Sequence, residues 1–297
     1  MEELTPIEKI LVPVDYSEYS LQACQYALKI AQKTGASVDL FHAFYSPAFD
    51  LIELTGNKSV QKKLRDDVTG KLIISEQKKL SHLEKVVKAY PEAQRISPDR
   101  LSFVTRPGLA NEEILNFSIE TEPDLVVMGT RGADKRENSL LGSSTEFAIK
   151  KLKCPVLAVP EHFKILQENA PNRIVYLTNF DESDFLSIRM LLGFTQTMSM
   201  TIHCLHVGTK KDKWEEIKMN GLKEYFKTAY NNTFVECDVL TPEVDVLQAI
   251  AAYITEKNIT LLSLTRRKRN FFEKYFKPDL TRKLFYNSNI PLLVFHS

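Results

Sequence analysis

Short apolar runs alternate along this chain with stretches of helical period. Lys9-Ile-Leu-Val-Pro-Val-Asp15 is opened by a base and closed by an acid, the pattern of a strand buried on both faces. A helix is predicted from Glu18 to Lys33, with Leu21, Cys24, Ala27, Leu28 and Ala31 on one face; Ser17 would cap it and Gly35 would stop it. Further strands are predicted at Asp39–Phe44, Leu125–Met128 and Pro155–Val159, and further helices at Leu109–Glu120 and Ser143–Leu152. Such alternation predicts a parallel sheet with helices on both faces.

The pattern then repeats. Lys9–Asp15 falls on Arg173–Asn179, and Asp39–Phe44 on His203–Gly208, which places His42 on His206. Asp124–Met128 falls on Thr260–Leu264, and Pro155–Val159 on Pro291–Phe295. The first copy is longer by about 28 residues between its second and third strands, and the lysine-rich stretch from Asn57 to Tyr90 is the natural place for a helical insertion. Helices at Glu182–Gln196, Glu243–Lys257 and Asp279–Asn287 fill the second copy's slots. The expected division is a first domain over 1–161, with its insertion at about 57–90, and a second over 172–297, joined through the polar Glu161–Asn172 stretch.

One constellation carries chemistry. The strand ending at Met128 is followed by Gly129-Thr-Arg-Gly132, and Gly142-Ser-Ser-Thr145 opens the next helix. Glycines let backbone N–H groups approach an anion, and a helix N-terminus adds unpaired donors and a favourable dipole. Ser143 and Thr145 bring hydroxyls and Arg131 a charge. A plain turn before a capped helix would use the same residues. The pattern is neither a P-loop nor the dinucleotide fingerprint.

Gly129-x2-Gly132-x9-Gly142-Ser143 resembles the ATP-binding signature of the universal stress protein family. Val12-Pro-Val-Asp15 is similar to the family's opening motif and Cys154-Pro-Val-Leu-Ala-Val-Pro160 to its closing strand. The likeness covers the whole first copy apart from the insertion, and the second more faintly. It implies two doubly wound α/β domains with parallel five-stranded sheets, Rossmann-like and of the adenine nucleotide alpha hydrolase type. It implies ATP as ligand, with Mg2+ as its companion ion. Pro13, Val14 and Asp15 would face adenine and ribose, and Ala43 would line the adenine pocket. Met128, Gly129 and Gly132 would follow ribose and phosphates, with Gly142, Ser143 and Thr145 on the phosphates; Ser144, counted with the nucleotide site, stands where the family often has valine. Family domains pair through their final strands, so Val156–Val159 is expected beside Leu292–Phe295 in an internal pseudo-dimer, with a homodimer of whole chains as a further level. The implied role is stress response or signalling. No base in the motif activates water, so the enzyme alternative is at most a slow ATPase; the other alternative is an interaction scaffold that uses no nucleotide.

The second copy has lost the signature. Thr265, Lys268, Pro278 and Asp279 replace Gly129, Gly132, Gly142 and Ser143, and Asn179 replaces Asp15. Lys268 adds bulk, Pro278 removes a donor, and Asp279 repels phosphate. ATP is therefore expected in the first domain alone. Arg266-Arg-Lys-Arg269 is read as a solvated loop rather than a nucleic-acid contact.

Composition agrees with a cytoplasmic globular protein: 297 residues, 43% hydrophobic, 26% charged and a net charge of +1. Near-neutrality offers no bulk attraction to nucleic acid or anionic membrane. No apolar run approaches the roughly 18 residues of a spanning helix, and no signal pattern opens the chain. Cys24, Cys154, Cys204 and Cys237 lack CxxC spacing and are read as free thiols acting as small apolar residues. His203-Cys204-x-His206 is too sparse for a closed metal site. Trp214 is expected to be a packing residue.

Overall fold

The computed structural model describes residues 4, 6–45, 58–130, 141–161, 163, 172–196, 200–208, 213–230, 235–241, 245–266 and 290–296. In the first half β1 (Lys9–Pro13), β2 (Ser37–Phe44), β3 (Leu101–Pro107), β4 (Leu125–Gly129) and β5 (Val156–Val159) alternate with helices. These are α1 (Glu18–Thr34), α2 (Lys58–Lys88), α3 (Ala110–Thr121) and α4 (Ser143–Lys151). The second half contributes β6 (Asn172–Leu177), α5 (Glu182–Gln196), β7 (Met200–Val207), α6 (Lys213–Tyr230) and β8 (Val235–Leu240). It continues with α7 (Val246–Glu256), β9 (Leu261–Arg266) and β10 (Leu292–His296).

The strands form one sheet in the order β3-β2-β1-β4-β5-β10-β9-β6-β7-β8. Five parallel strands from each half meet where β5 runs antiparallel to β10, with Leu292 opposite Ala158 and Val294 opposite Val156. Strands buried on both faces need two apolar sets, and alternation supplies them. Ile10 and Val12 enter a core with residues of α1, α2, α5 and α6, while Leu11 enters the opposite core with residues of α3, α4 and α7. The expected α/β class with doubly wound parallel sheets is the observed one.

Capping chemistry sets the helix ends. The Ser17 side chain accepts from the Ser20 N–H at the start of α1, and Gly35 ends it at φ 76°, a left-handed conformation glycine adopts without strain. Within the expected insertion, Lys58–Lys88 is one helix, α2, of 31 residues. Its slot is not empty in the second half, where the 18-residue α6 stands. The extra length is thus a longer helix plus connecting chain, not a whole added element.

Two side chains of the second half hold the end of α4. Arg266 Nη1 donates to the Lys150 carbonyl at 2.9 Å, and His296 Nε2 lies 2.8 Å from the Ile149 carbonyl. Terminal carbonyls of a helix lack intrahelical partners, so these contacts cap α4 across the seam. Trp214 departs from expectation: it is exposed because the buried side of α6 is Met219, Leu222 and Phe226, and position 214 turns away from that stripe. The Asp279–Asn287 helix and most of the Arg266–Arg269 loop lie outside the described residues. Among the described residues, no helix is long and apolar enough to cross a membrane.

Candidate functional site

In a doubly wound sheet the crevice forms at the carboxyl ends of the strands, where the strand order reverses. In the first half that point lies between β1 and β4. A cleft of about 260 Å3 opens there. Pro13, Val14 and Asp15 line it from the end of β1, Ala43 from β2, and Met128 and Gly129 from β4. Gly142, Ser143, Ser144 and Thr145 line it from the start of α4. These ten of the twelve sequence-predicted site residues converge on one hollow; Arg131 and Gly132 lie outside the described residues. Ser20, Phe41, His42, Ala110 and Ile114 complete the lining and were not predicted from sequence.

Gly129 sits where no side chain fits. A Cβ there would lie 2.8 Å from the Tyr19 carbonyl oxygen, so α1 rests directly on the strand backbone. Across the cleft, the hydrogen bonding of α4 begins with Glu146 N–H to the Gly142 carbonyl. The N–H groups of Ser143, Ser144 and Thr145 precede it and lack intrahelical acceptors. The Thr145 hydroxyl does not join them as a free donor: it donates to the Gly129 carbonyl at 2.7 Å and locks α4 to β4. Ser143, which is exposed, is the hydroxyl at the mouth. The Asp15 carboxylate is exposed as well and accepts from the Ser17 N–H and hydroxyl, which fixes its place at the rim.

The floor of the cleft is braced by a device found in both halves. His42 Nδ1 lies 2.7 Å from the Val14 carbonyl, and its Nε2 lies 3.4 Å from buried Glu76. Tyr16, at φ 63°, lays its ring against the imidazole at 4.3 Å. Burial, reinforced by the Glu76 charge, pushes the Tyr16 phenol pKa up and keeps it neutral. In the second half His206 Nδ1 lies 2.8 Å from the Thr178 carbonyl, Nε2 lies 3.3 Å from Glu215, and Phe180 at φ 61° covers the ring at 4.5 Å. Bulky residues rarely adopt positive φ, so its recurrence marks a shared design. His206 is thus a strand-end brace, and His203 points to the other face, toward Tyr253. Among the described residues, no group of three or more His, Cys, Asp or Glu could hold a metal ion.

The equivalent strand ends in the second half carry a buried hydrogen-bond network. Tyr176, Asp184, Ser187 and Thr265 stand where the first half has Val12, Ser20, Ala23 and Gly129. Tyr176 Oη donates to Asp184 Oδ1 at 2.8 Å and lies 2.6 Å from Thr265 Oγ1. Thr265 Oγ1 in turn lies 2.6 Å from Ser187 Oγ. Asp184 Oδ2 accepts from the Thr178 hydroxyl and from the N–H groups of Asn179 and Asp181. Asp184 is 1% exposed. A carboxylate buried that deeply is held by its donors, and here it gathers the strand-end amides that in the first half are shared between Ser20 and Asp15.

Comparison with known proteins follows the same asymmetry. The family model described as the universal stress protein family matches residues 6–160. A universal stress protein of Methanocaldococcus jannaschii is 31% identical over 153 residues, 51% of this chain and 81% of that protein. One from Thermus aquaticus is 30% identical over 154 residues, covering 50% of this chain and 96% of the relative. The crystal structure of a universal stress protein from Archaeoglobus fulgidus matches in fold over both halves, covering 97% of this chain and 96% of that one at a TM-score of 0.64 and 18% identity. The chain belongs to the universal stress protein family.

Proposed function

We propose that this chain is a tandem universal stress protein, with domains over 1–161 and 172–297, that binds one ATP in its first domain and serves stress-response signalling in the cytoplasm. The observation that carries the reading is the contrast between the two strand-end sites. In the first, Gly129 and the unpaired N–H groups of α4 border an open cleft. In the second, Thr265 and Asp184 stand at the positions of Gly129 and Ser20 and are tied into a buried network. Adenine and ribose fit the apolar side, against Pro13, Val14, Ala43 and Met128, with Asp15 at the rim. Phosphates fit Gly142, Ser143 and Ser144, and the signature Gly129-x2-Gly132 assigns Arg131 and Gly132 to the same ligand. Mg2+ would arrive with the nucleotide, held through phosphate oxygens and water. The antiparallel β5–β10 seam supports an internal pseudo-dimer. Among the described lining residues the two basic groups, Asp15 and His42, are engaged with Ser17 and with the Val14 carbonyl and Glu76, which favours binding over turnover.

The test is nucleotide retained through purification of the full chain, identified chromatographically, in wild type and in Gly132→Lys, which copies Lys268. Adenine nucleotide in the wild type and none in the variant is expected. Equal retention by both would overturn the site assignment.

A further inference from the structure

The two halves share one register along their second and third strands, so the first serves as a control for the second. Where β2 meets β3, Leu40 stands beside Phe103. At the equivalent place, where β7 meets β8, Cys204 stands beside Cys237. The alignment is anchored two residues on, where His42 and His206 brace their strand ends alike. The repeat therefore supplies an ordinary apolar pair at this position. Cysteine on both strands is particular to the second half.

Neighbouring strands lie about 4.8 Å apart, and residues in direct register share a face. The two Cα atoms thus fall in the range of about 4.4–6.8 Å that a disulfide spans. Both side chains belong to the core beneath α6, with Leu222 and Phe226. Their exposure differs: Cys204 is fully buried, whereas Cys237, on the outermost strand, is partly open. Interaction with the Cys204 thiol, aided by the Lys223 charge on α6, lowers the Cys237 pKa against the opposing effect of burial. Cys204 is pushed the other way, by Cys237 and by burial. The remaining thiols lack such a setting. Cys24 is fully buried and raised by burial, and burial pushes Cys154 up to about 11.

We propose that Cys204 and Cys237 form a redox modification site, at which a hydroperoxide oxidises the pair to an intramolecular disulfide. Cys237, as thiolate, attacks the terminal peroxide oxygen; an S–O bond forms, the O–O bond breaks, and the departing hydroxide takes a proton to become water. The Cys204 sulfur then attacks the Cys237 sulfenic sulfur. The S–S bond forms, the S–O bond breaks, and the hydroxide leaves as water with the Cys204 proton. Two thiols and one hydrogen peroxide give one disulfide and two waters. A dithiol reductant reverses the change by exchange. Partial exposure of the attacking sulfur beside a buried resolving sulfur is the arrangement that makes such chemistry site-selective. The product ties the edge strand β8 to β7 and closes the intervening chain, α6 included, into a covalent loop. This site stands apart from the nucleotide cleft and does not depend on it.

The experiment treats the reduced full-length protein with hydrogen peroxide and maps its peptides without reduction. A linked peptide pair containing Cys204 and Cys237, two hydrogens lighter than the thiols and restored by dithiothreitol, is expected. Amide exchange in β8 should slow on oxidation. In Cys204→Ala, or Cys204→Val should the alanine variant fold poorly, a sulfenic-acid trap should label Cys237, at least about tenfold faster than Cys154. Failure of the wild type to form the linked pair while Cys237 proceeds to sulfinic acid would overturn the proposal. So would reaction of Cys154 as fast as Cys237.

Discussion

Ser20→Asp transplants the second half's occupant into the first. Ser20 lines the cleft and is 4% exposed. Its counterpart, Asp184, is sustained by the hydroxyls of Tyr176 and Thr178 and by two backbone amides. The first half has Val12 and Val14 at the hydroxyl positions, so the new carboxylate would find amides alone. Two missing donors should cost about 1–3 kcal/mol of stability. The greater effect is on the ligand. A carboxylate about 5 Å from a phosphate, at an effective dielectric of about 20, is repelled by about 3 kcal/mol, which is about a hundredfold in Kd. Titration calorimetry with ATP, AMP and adenosine checks the reasoning, because the loss should grow with the number of phosphates and be smallest for adenosine. Ser20→Asn, of the same shape without the charge, should stay within about threefold of wild type. Equal losses for ATP and adenosine, or equal losses in the Asp and Asn variants, would refute an electrostatic origin.

Gly129→Ala places a methyl group 2.8 Å from the Tyr19 carbonyl oxygen; overpacking against backbone should cost about 1–3 kcal/mol, read as a lower urea midpoint at unchanged m, with weaker ATP binding as α1 moves off β4. Arg266→Ala removes the bond to the Lys150 carbonyl and should cost about 1 kcal/mol in chemical denaturation, even though position 266 lies in the other half of the chain. His296 and His203 have pKa values lowered by burial from the ordinary 6.5. The unfolded chain therefore binds more protons than the folded one below that value, and stability should fall as pH drops through about 6.5. His296→Gln should flatten part of that slope in thermal melts across the range.

The fold was legible because the sheet is buried on both faces. Runs such as Ile10–Val14 and Val156–Val159 are apolar without interruption, and the helices between them carry a single apolar stripe, so the two periods separate cleanly. The edge strands escaped the pattern. Leu101–Pro107 is half-buried, with Arg106 and Pro107 at its end, and β8 mixes Glu236 and Asp238 with its apolar residues. The glycines and hydroxyls of the cleft were legible because they lie in one contiguous signature. Ser20, Phe41, His42, Ala110 and Ile114 were not, since each reaches the cleft from a different element and none is chemically conspicuous. The repeat did single out His42 and His206, but only as kin; their shared bond to a strand-end carbonyl required coordinates. The network at the second strand end was half legible. Thr265 could be read from its alignment with Gly129, whereas the role of Asp184 emerges only when α5 is seen to set it against the amides of Asn179 and Asp181.

The measurement that bears most directly on the central claim is the stoichiometry of ATP binding to the full chain by titration calorimetry. One site per chain, lost in Ser20→Asp and kept when Asp184 is changed to Ser, is the predicted result. Two sites per chain, or one site that survives Ser20→Asp and disappears with Asp184→Ser in a folded protein, would contradict it.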